Sequence, residues 1–169
     1  MSVRDEKRPR GSTNSSPESV PFLQRHAKLL STPVFLVLLL AIGGLFWTRS
    51  LLGHGPVSLG LQLAAILLMV WARITFGIRS FHYAANPTEG GLVTTGPYRY
   101  LRHPIYAAIL LFVWAGIAAN GSLPGVALGL LATAMLFLRM IFEETLVRQR
   151  YPEYDEYARR TKRVIPFLL

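Results

Sequence analysis

The chain of 169 residues contains no cysteine, which excludes a disulfide framework and thiolate chemistry of its own. Acid is scarce: nine Asp and Glu stand against eighteen Lys and Arg, for a formal charge of +9. Such a balance often signals nucleic acid. Here, however, the basic residues flank apolar runs and form no continuous soluble face, so nucleic acid is not expected and an anionic membrane leaflet is. Polar residues are too few overall for an ordinary soluble domain, since 51% of the chain is hydrophobic.

What is present reads as one small membrane domain. Residues 1–28 mix Arg4, Lys7, Arg8 and Arg10 with Ser, Pro, Gly and Asn, and are expected to form a disordered basic tail. The first apolar run begins only near Leu29, too late for the core of a cleaved secretory signal. Four apolar segments follow, roughly Leu29 to Trp47, Ser58 to Phe76, Ile105 to Ala119 and Pro124 to Phe142. Each approaches the ~20 residues that cross a bilayer core. Asn120-Gly-Ser-Leu-Pro-Gly125 between the last two is a turn, which makes 105–142 a helical hairpin. The fold expected is therefore all-α and polytopic, with two amino-terminal spans over 29–76 and a second unit over 77–169.

Six basic residues precede the first segment and six follow the last, with only Arg49 between the first two segments and none in the hairpin turn. The positive-inside rule puts both termini in the cytoplasm. All nine acids fall on that side or at its border, so chemistry is expected there.

Two constellations argue against a plain scaffold or small transporter. The loop from Gly77 to His103 carries Gly90-Gly-Leu-Val-Thr-Thr-Gly-Pro-Tyr98, which supplies flexible backbone, hydroxyls and an aromatic ring just before Arg99, Tyr100, Arg102 and His103. Pro104 suits the first position of the third helix, where its missing N–H costs little and the free amides can hold an anion. Tyr98, Tyr100 and Tyr106 can equally be membrane-belt residues. The second constellation is Arg139-Met-Ile-Phe-Glu-Glu144, where Arg139 and Glu143 share a helix face. Charge at a membrane border points to function. Beyond it, Tyr151-Pro-Glu-Tyr-Asp-Glu-Tyr157 and Arg159-Arg-Thr-Lys-Arg163 form a tail that either lies on anionic lipid or closes the loop from below.

Taken in order, Leu92-Val-Thr-Thr-Gly-Pro-Tyr-Arg-Tyr-Leu-Arg-His-Pro-Ile-Tyr106, the hairpin, Arg139-x-x-x-Glu143-Glu144, Tyr151-Pro-Glu-Tyr154 and Arg163-Val-Ile-Pro166 closely resemble the isoprenylcysteine carboxyl methyltransferase family and its phospholipid methyltransferase relatives. The resemblance covers about residues 88 to 169. It implies an integral membrane methyltransferase that uses S-adenosylmethionine, enclosed by the cytoplasmic loop and the carboxy-terminal tail. Leu92, Val93, Tyr98, His103, Pro104, Ile105 and Tyr106 would line the cofactor site, with Glu143 and Glu144 completing it. Arg139 would face a lipophilic methyl acceptor, and His103 would either line the site or serve as a base. No residue is assigned to a metal, and oligomeric state is left open. Where many relatives carry His before the Leu-Val-Thr run, this chain has Gly90-Gly91.

No glycine-rich nucleotide fingerprint sits between a strand and a helix, so helices and loops must hold the cofactor. Methyl transfer demands positioning more than elaborate acid–base apparatus. The acceptor stays open among carboxylates, thiols and amines. Two rivals remain: a membrane reductase of the sterol-reductase type with a nicotinamide cofactor, and a noncatalytic lipid-binding adaptor. Gly125 and Gly129, four apart, permit a close helix approach, expected against the third helix.

Overall fold

The computed structural model describes residues 22–77 and 91–164, with side chains from Ser31 onward. Among the described residues the regular structure is helical, with one isolated parallel bridge, Leu101 to Lys162. The helices are α1 Phe22–Trp47, α2 Pro56–Phe76, α3 Pro104–Asn120, α4 Leu123–Arg150 and α5 Tyr154–Arg160, with a 3-10 turn over Gly96–Arg99.

Local chemistry sets most of these ends. Pro56 and Pro104 open α2 and α3 at positions that need no N–H donor. Gly121 closes α3 in the left-handed conformation (φ 60°), and Ser122 then caps α4 by accepting the Gly125 amide at 3.0 Å. The expected hairpin turn is thus two residues long.

One expectation is corrected. α1 starts at Phe22, so residues 22–28 are helix and not the end of a disordered tail. Backbone hydrogen bonding carries a helix past the edge of its apolar stripe, and Leu23, Gln24, Ala27 and Lys28 all favour helix. Residues 1–21 lie outside the described residues.

α2 and α4 are long and apolar enough to cross a membrane, with mean hydropathies of 1.9 and 2.0. α3 and the Ser31–Trp47 part of α1 are shorter apolar helices. At 17 residues α3 rises about 26 Å, a little less than a ~30 Å bilayer core. Leu40, Val57, Leu67, Ile74 and Leu131 are exposed, as side chains that face lipid are.

Inside, α1 packs against α4 and α2 against α3. Leu38, Ala41, Ala107, Ala132, Leu136 and Met140 form the main core. Gly129 lies under Ile117 and Trp114 of α3, as its spacing suggested, whereas Gly125 meets Ser50 of the α1–α2 connection. Trp114 adds a hydrogen bond to Thr133 at 3.1 Å across the hairpin.

The end of the bundle holding the α1–α2 connection is closed by neutral groups. The buried Gln62 amide donates to the Leu51 carbonyl at 2.8 Å and the Phe112 carbonyl at 3.2 Å, while its oxygen accepts from the Gly53 amide at 3.1 Å. Ser58 donates to the Ala115 carbonyl at 2.9 Å, and Asn120 to the Leu52 carbonyl at 2.8 Å. These bonds satisfy backbone that would otherwise be stranded in an apolar setting.

Candidate active site

At the other end, the start of α3, the last turns of α4 and the carboxy-terminal segment converge. Pro104 disfavours a helical conformation in the residue before it, and His103 adopts φ −126°, ψ 60° as the α3 cap. Its ring stacks on Tyr106, with centroids 5.5 Å apart and planes 12° from parallel.

Adjacent helical residues point about 100° apart, and Glu143 and Glu144 use this to serve different partners. Glu143 pairs with Arg139 one turn earlier, Oε1 to Nε at 3.1 Å, as the i,i+4 spacing suggested. It also accepts a short hydrogen bond from the Tyr106 hydroxyl, which in turn accepts from Arg139 Nε at 2.7 Å. Arg139 is buried, its Nη1 lying 3.5 Å from Ser31 Oγ and its guanidinium 5.0 Å from the centroid of the Phe35 ring.

Glu144 is 2% exposed and surrounded by cations. Arg163 grips it with Nε on Oε1 and Nη2 on Oε2, each at 3.1 Å. Arg102 Nη1 lies at 3.3 Å and Arg148 Nη2 at 3.9 Å. His103 bridges the two acids, with Nε2 at 3.2 Å from Glu144 and Nδ1 at 3.8 Å from Glu143.

The carboxy-terminal segment is a strap across this cluster. After α5 it runs alongside residues 100–103: Lys162 donates to the Tyr100 carbonyl at 3.0 Å, and the Arg102 and His103 amides donate to the Lys162 and Arg163 carbonyls at 2.7 and 3.0 Å. Val164 enters the core beside Leu101. Tyr157 donates to the Tyr98 carbonyl at 2.8 Å, which ties α5 to the 3-10 turn. Burial pushes the Tyr154 hydroxyl from its ordinary 10.0 up to about 12. Burial raises Tyr98 and Tyr157 as well, and hydrogen bonding to Glu144 raises Arg163.

Of the residues singled out by sequence, His103, Tyr106, Arg139, Glu143 and Glu144 form one connected network. Pro104 is buried beneath it and Ile105 half-buried beside it. Tyr98 is buried in the 3-10 turn, its ring 5.4 Å from that of Phe76; its hydroxyl lies within reach of the Glu143 charge and its carbonyl accepts from Tyr157 of the tail. Leu92 and Val93 are half-buried in irregular chain with no hydrogen bond to the cluster. His82 and Gly90 lie outside the described residues. Sequence reasoning missed Ser31 and Phe35, which reach Arg139 across about a hundred residues, and gave no individual role to Arg102 or Arg163, although both stand in the motifs quoted. Arg102 Nε is buried without a hydrogen-bond partner among the described residues.

Comparison with known proteins finds several relatives. The chain is similar to the nickel-cobalt-cadmium resistance protein NccN of Alcaligenes xylosoxydans xylosoxydans, 29% identical over 87% of this chain and 68% of the relative. It is 32% identical to the cobalt-zinc-cadmium resistance protein CzcN of Cupriavidus metallidurans over 67% of this chain and 51% of the relative. A "probable protein-S-isoprenylcysteine O-methyltransferase" of Oryza sativa subsp. indica is 28% identical over 73% of this chain and 64% of the relative. The chain thus spans between about half and two thirds of the length of these curated relatives. No solved structure matches it. The sequence model of the phospholipid methyltransferase family matches residues 55–154, more than half of the chain, taking in α2, the hairpin and the paired glutamates. On that match the protein belongs to the phospholipid methyltransferase family.

Proposed function

We propose that the chain is a multi-pass membrane methyltransferase that takes its methyl group from S-adenosylmethionine and gives it to a lipophilic carboxylate, thiol or amine. In this reading α1 to α4 all cross the membrane, both termini are cytoplasmic, and the glutamate cluster faces the cytoplasmic interface. Residues 29–76 build the acceptor passage, and residues 77–169 form the catalytic core. Neither a nicotinamide-dependent reductase nor a noncatalytic adaptor is favoured by the family match.

The observation that carries the reading is Glu143. Its side chain is 23% exposed, with Oε1 engaged by Arg139 and Tyr106 and Oε2 turned toward His103. An ionised carboxylate held by fixed donors is an acceptor for the amino group or ribose hydroxyls of the cofactor. The stacked His103–Tyr106 pair offers an aromatic wall, and the unpartnered Arg102 Nε a donor. This donor set fits a hydroxyl-bearing, cationic nucleoside derivative.

When bound, S-adenosylmethionine supplies a methyl group activated by its sulfonium, which passes to a nucleophile on the opposite side and leaves a thioether. The protein's share is orientation. Glu143 holds the donor, and Arg139, seated between Phe35, Ser31 and Tyr106, holds the acceptor end from the membrane side. A protonated amine or thiol acceptor would pass its proton to His103 Nδ1; a carboxylate would need no base.

Purified protein in detergent, given methyl-labelled S-adenosylmethionine and an organic extract of membranes, is expected to label the organic fraction. Label released as methanol by mild base identifies a carboxylate acceptor, whereas base-stable label identifies a thiol or amine. A folded protein that transfers none overturns the reading.

A further inference from the structure

Glu143 and Glu144 look like one motif but do different work. Both oxygens of Glu144 are already occupied: Oε1 meets Arg163 Nε, His103 Nε2 and Arg102 Nη1 within 3.3 Å, and Oε2 meets Arg163 Nη2 at 3.1 Å. At 2% exposure it can take no ligand without surrendering one of these partners, and a buried carboxylate stripped of its partners is costly. The partners come from two stretches distant in sequence, the segment before α3 and the terminal strap. Glu144 is the charge through which both attach to α4. The same strap supplies the carbonyls that accept from the Arg102 and His103 amides.

We propose that Glu144 is a positioning residue: with Arg163 it pins the terminal strap onto the start of α3, fixing the His103 ring against Glu143, and it does not touch the cofactor. This deepens the methyltransferase reading and rests on it for the word cofactor; the pin itself does not. The chain of action runs Arg163 to Glu144 to His103 to Glu143. Each link is a contact of 3.1 to 3.8 Å between named atoms. Arg163 is the accessible member, its side chain 40% exposed. It can be altered without opening the bundle.

The test uses full-length protein in detergent, labelled with 15N-histidine, with the His103 ring signals assigned by their loss in His103→Gln. Glu144→Gln and Arg163→Ala are each expected to shift those signals. Affinity for S-adenosylhomocysteine, measured by calorimetry, should fall roughly 10-fold, the worth of one lost charged hydrogen bond. Arg163→Lys, which keeps the charge but loses the two-pronged grip, should recover part of both. If Glu144→Gln fails to fold, Arg163→Ala carries the test. Unchanged His103 signals in the folded variants overturn the pin. Weakened binding with unchanged signals overturns it too, because Glu144 would then contact the ligand directly. Shifted signals in a wild-type background that binds no S-adenosylhomocysteine would uphold the pin and bring down the methyltransferase reading instead.

Discussion

The two ends of this bundle are both polar, yet they spend their polarity differently. At the end with the α1–α2 connection, Gln62, Ser58 and Asn120 bond to backbone carbonyls and are neutral. At the other end Arg139, Glu143, His103 and Tyr106 bond chiefly to one another and are charged or titratable. A side chain that satisfies backbone completes the fold, whereas in the proposed reading side chains that satisfy each other and leave a carboxylate partly exposed serve a ligand. In that reading the difference separates structural from functional polarity within one small membrane protein.

The largest effect should come from disturbing the neutral end. A Cβ at Gly116 would sit 2.1 Å from the Leu51 backbone carbonyl, which has no flexible end to move aside. Gly116→Ala is expected to cost about 3 kcal/mol or more, read as a drop in thermal midpoint in detergent. Gly60→Ala, with open space around it, should leave the midpoint unchanged or raise it. A smaller loss, about 1–3 kcal/mol, is expected for Gln62→Leu, which strands two carbonyls and an amide. Ligand affinity should survive both changes if the neutral end is purely structural.

The smallest effect is at alkaline pH. Tyr154 holds its proton more tightly folded than unfolded, so its contribution is complete below about pH 10 and lost as pH rises toward about 12. Tyr154→Phe should flatten that part of a melting-versus-pH profile. A profile unchanged by the substitution would show that Tyr154 is not the group responsible.

Much of this was legible in the sequence because it is local. Apolar run lengths gave four helices, Pro104 gave the start of α3, and the spacing of Arg139 and Glu143 gave their shared face. The start of α1 was less legible, because hydropathy marks where a helix meets an apolar environment and not where its hydrogen bonds begin. Ser31 and Phe35 carry no signal at all toward Arg139. Their meeting is decided by α1 packing on α4, which depends on the whole bundle. The strap of residues 161–164 was equally hidden, since four residues are too few to show a strand period and their partners lie some sixty positions away. The spacing to Arg139 marked Glu143 in sequence, but the partners of Glu144, which come from the segment before α3 and from the strap, were not legible.

The most direct test sets Glu143→Ala beside Gln62→Leu, measuring calorimetric affinity for S-adenosylhomocysteine and thermal midpoint on the same preparations. Glu143→Ala should lose affinity by roughly 10-fold or more, together with some midpoint because it leaves the buried Arg139 guanidinium without its carboxylate, and Gln62→Leu should lose midpoint while keeping affinity. If Glu143→Ala binds as wild type does, or if both variants lose both properties in parallel, the division between a structural end and a functional end is wrong.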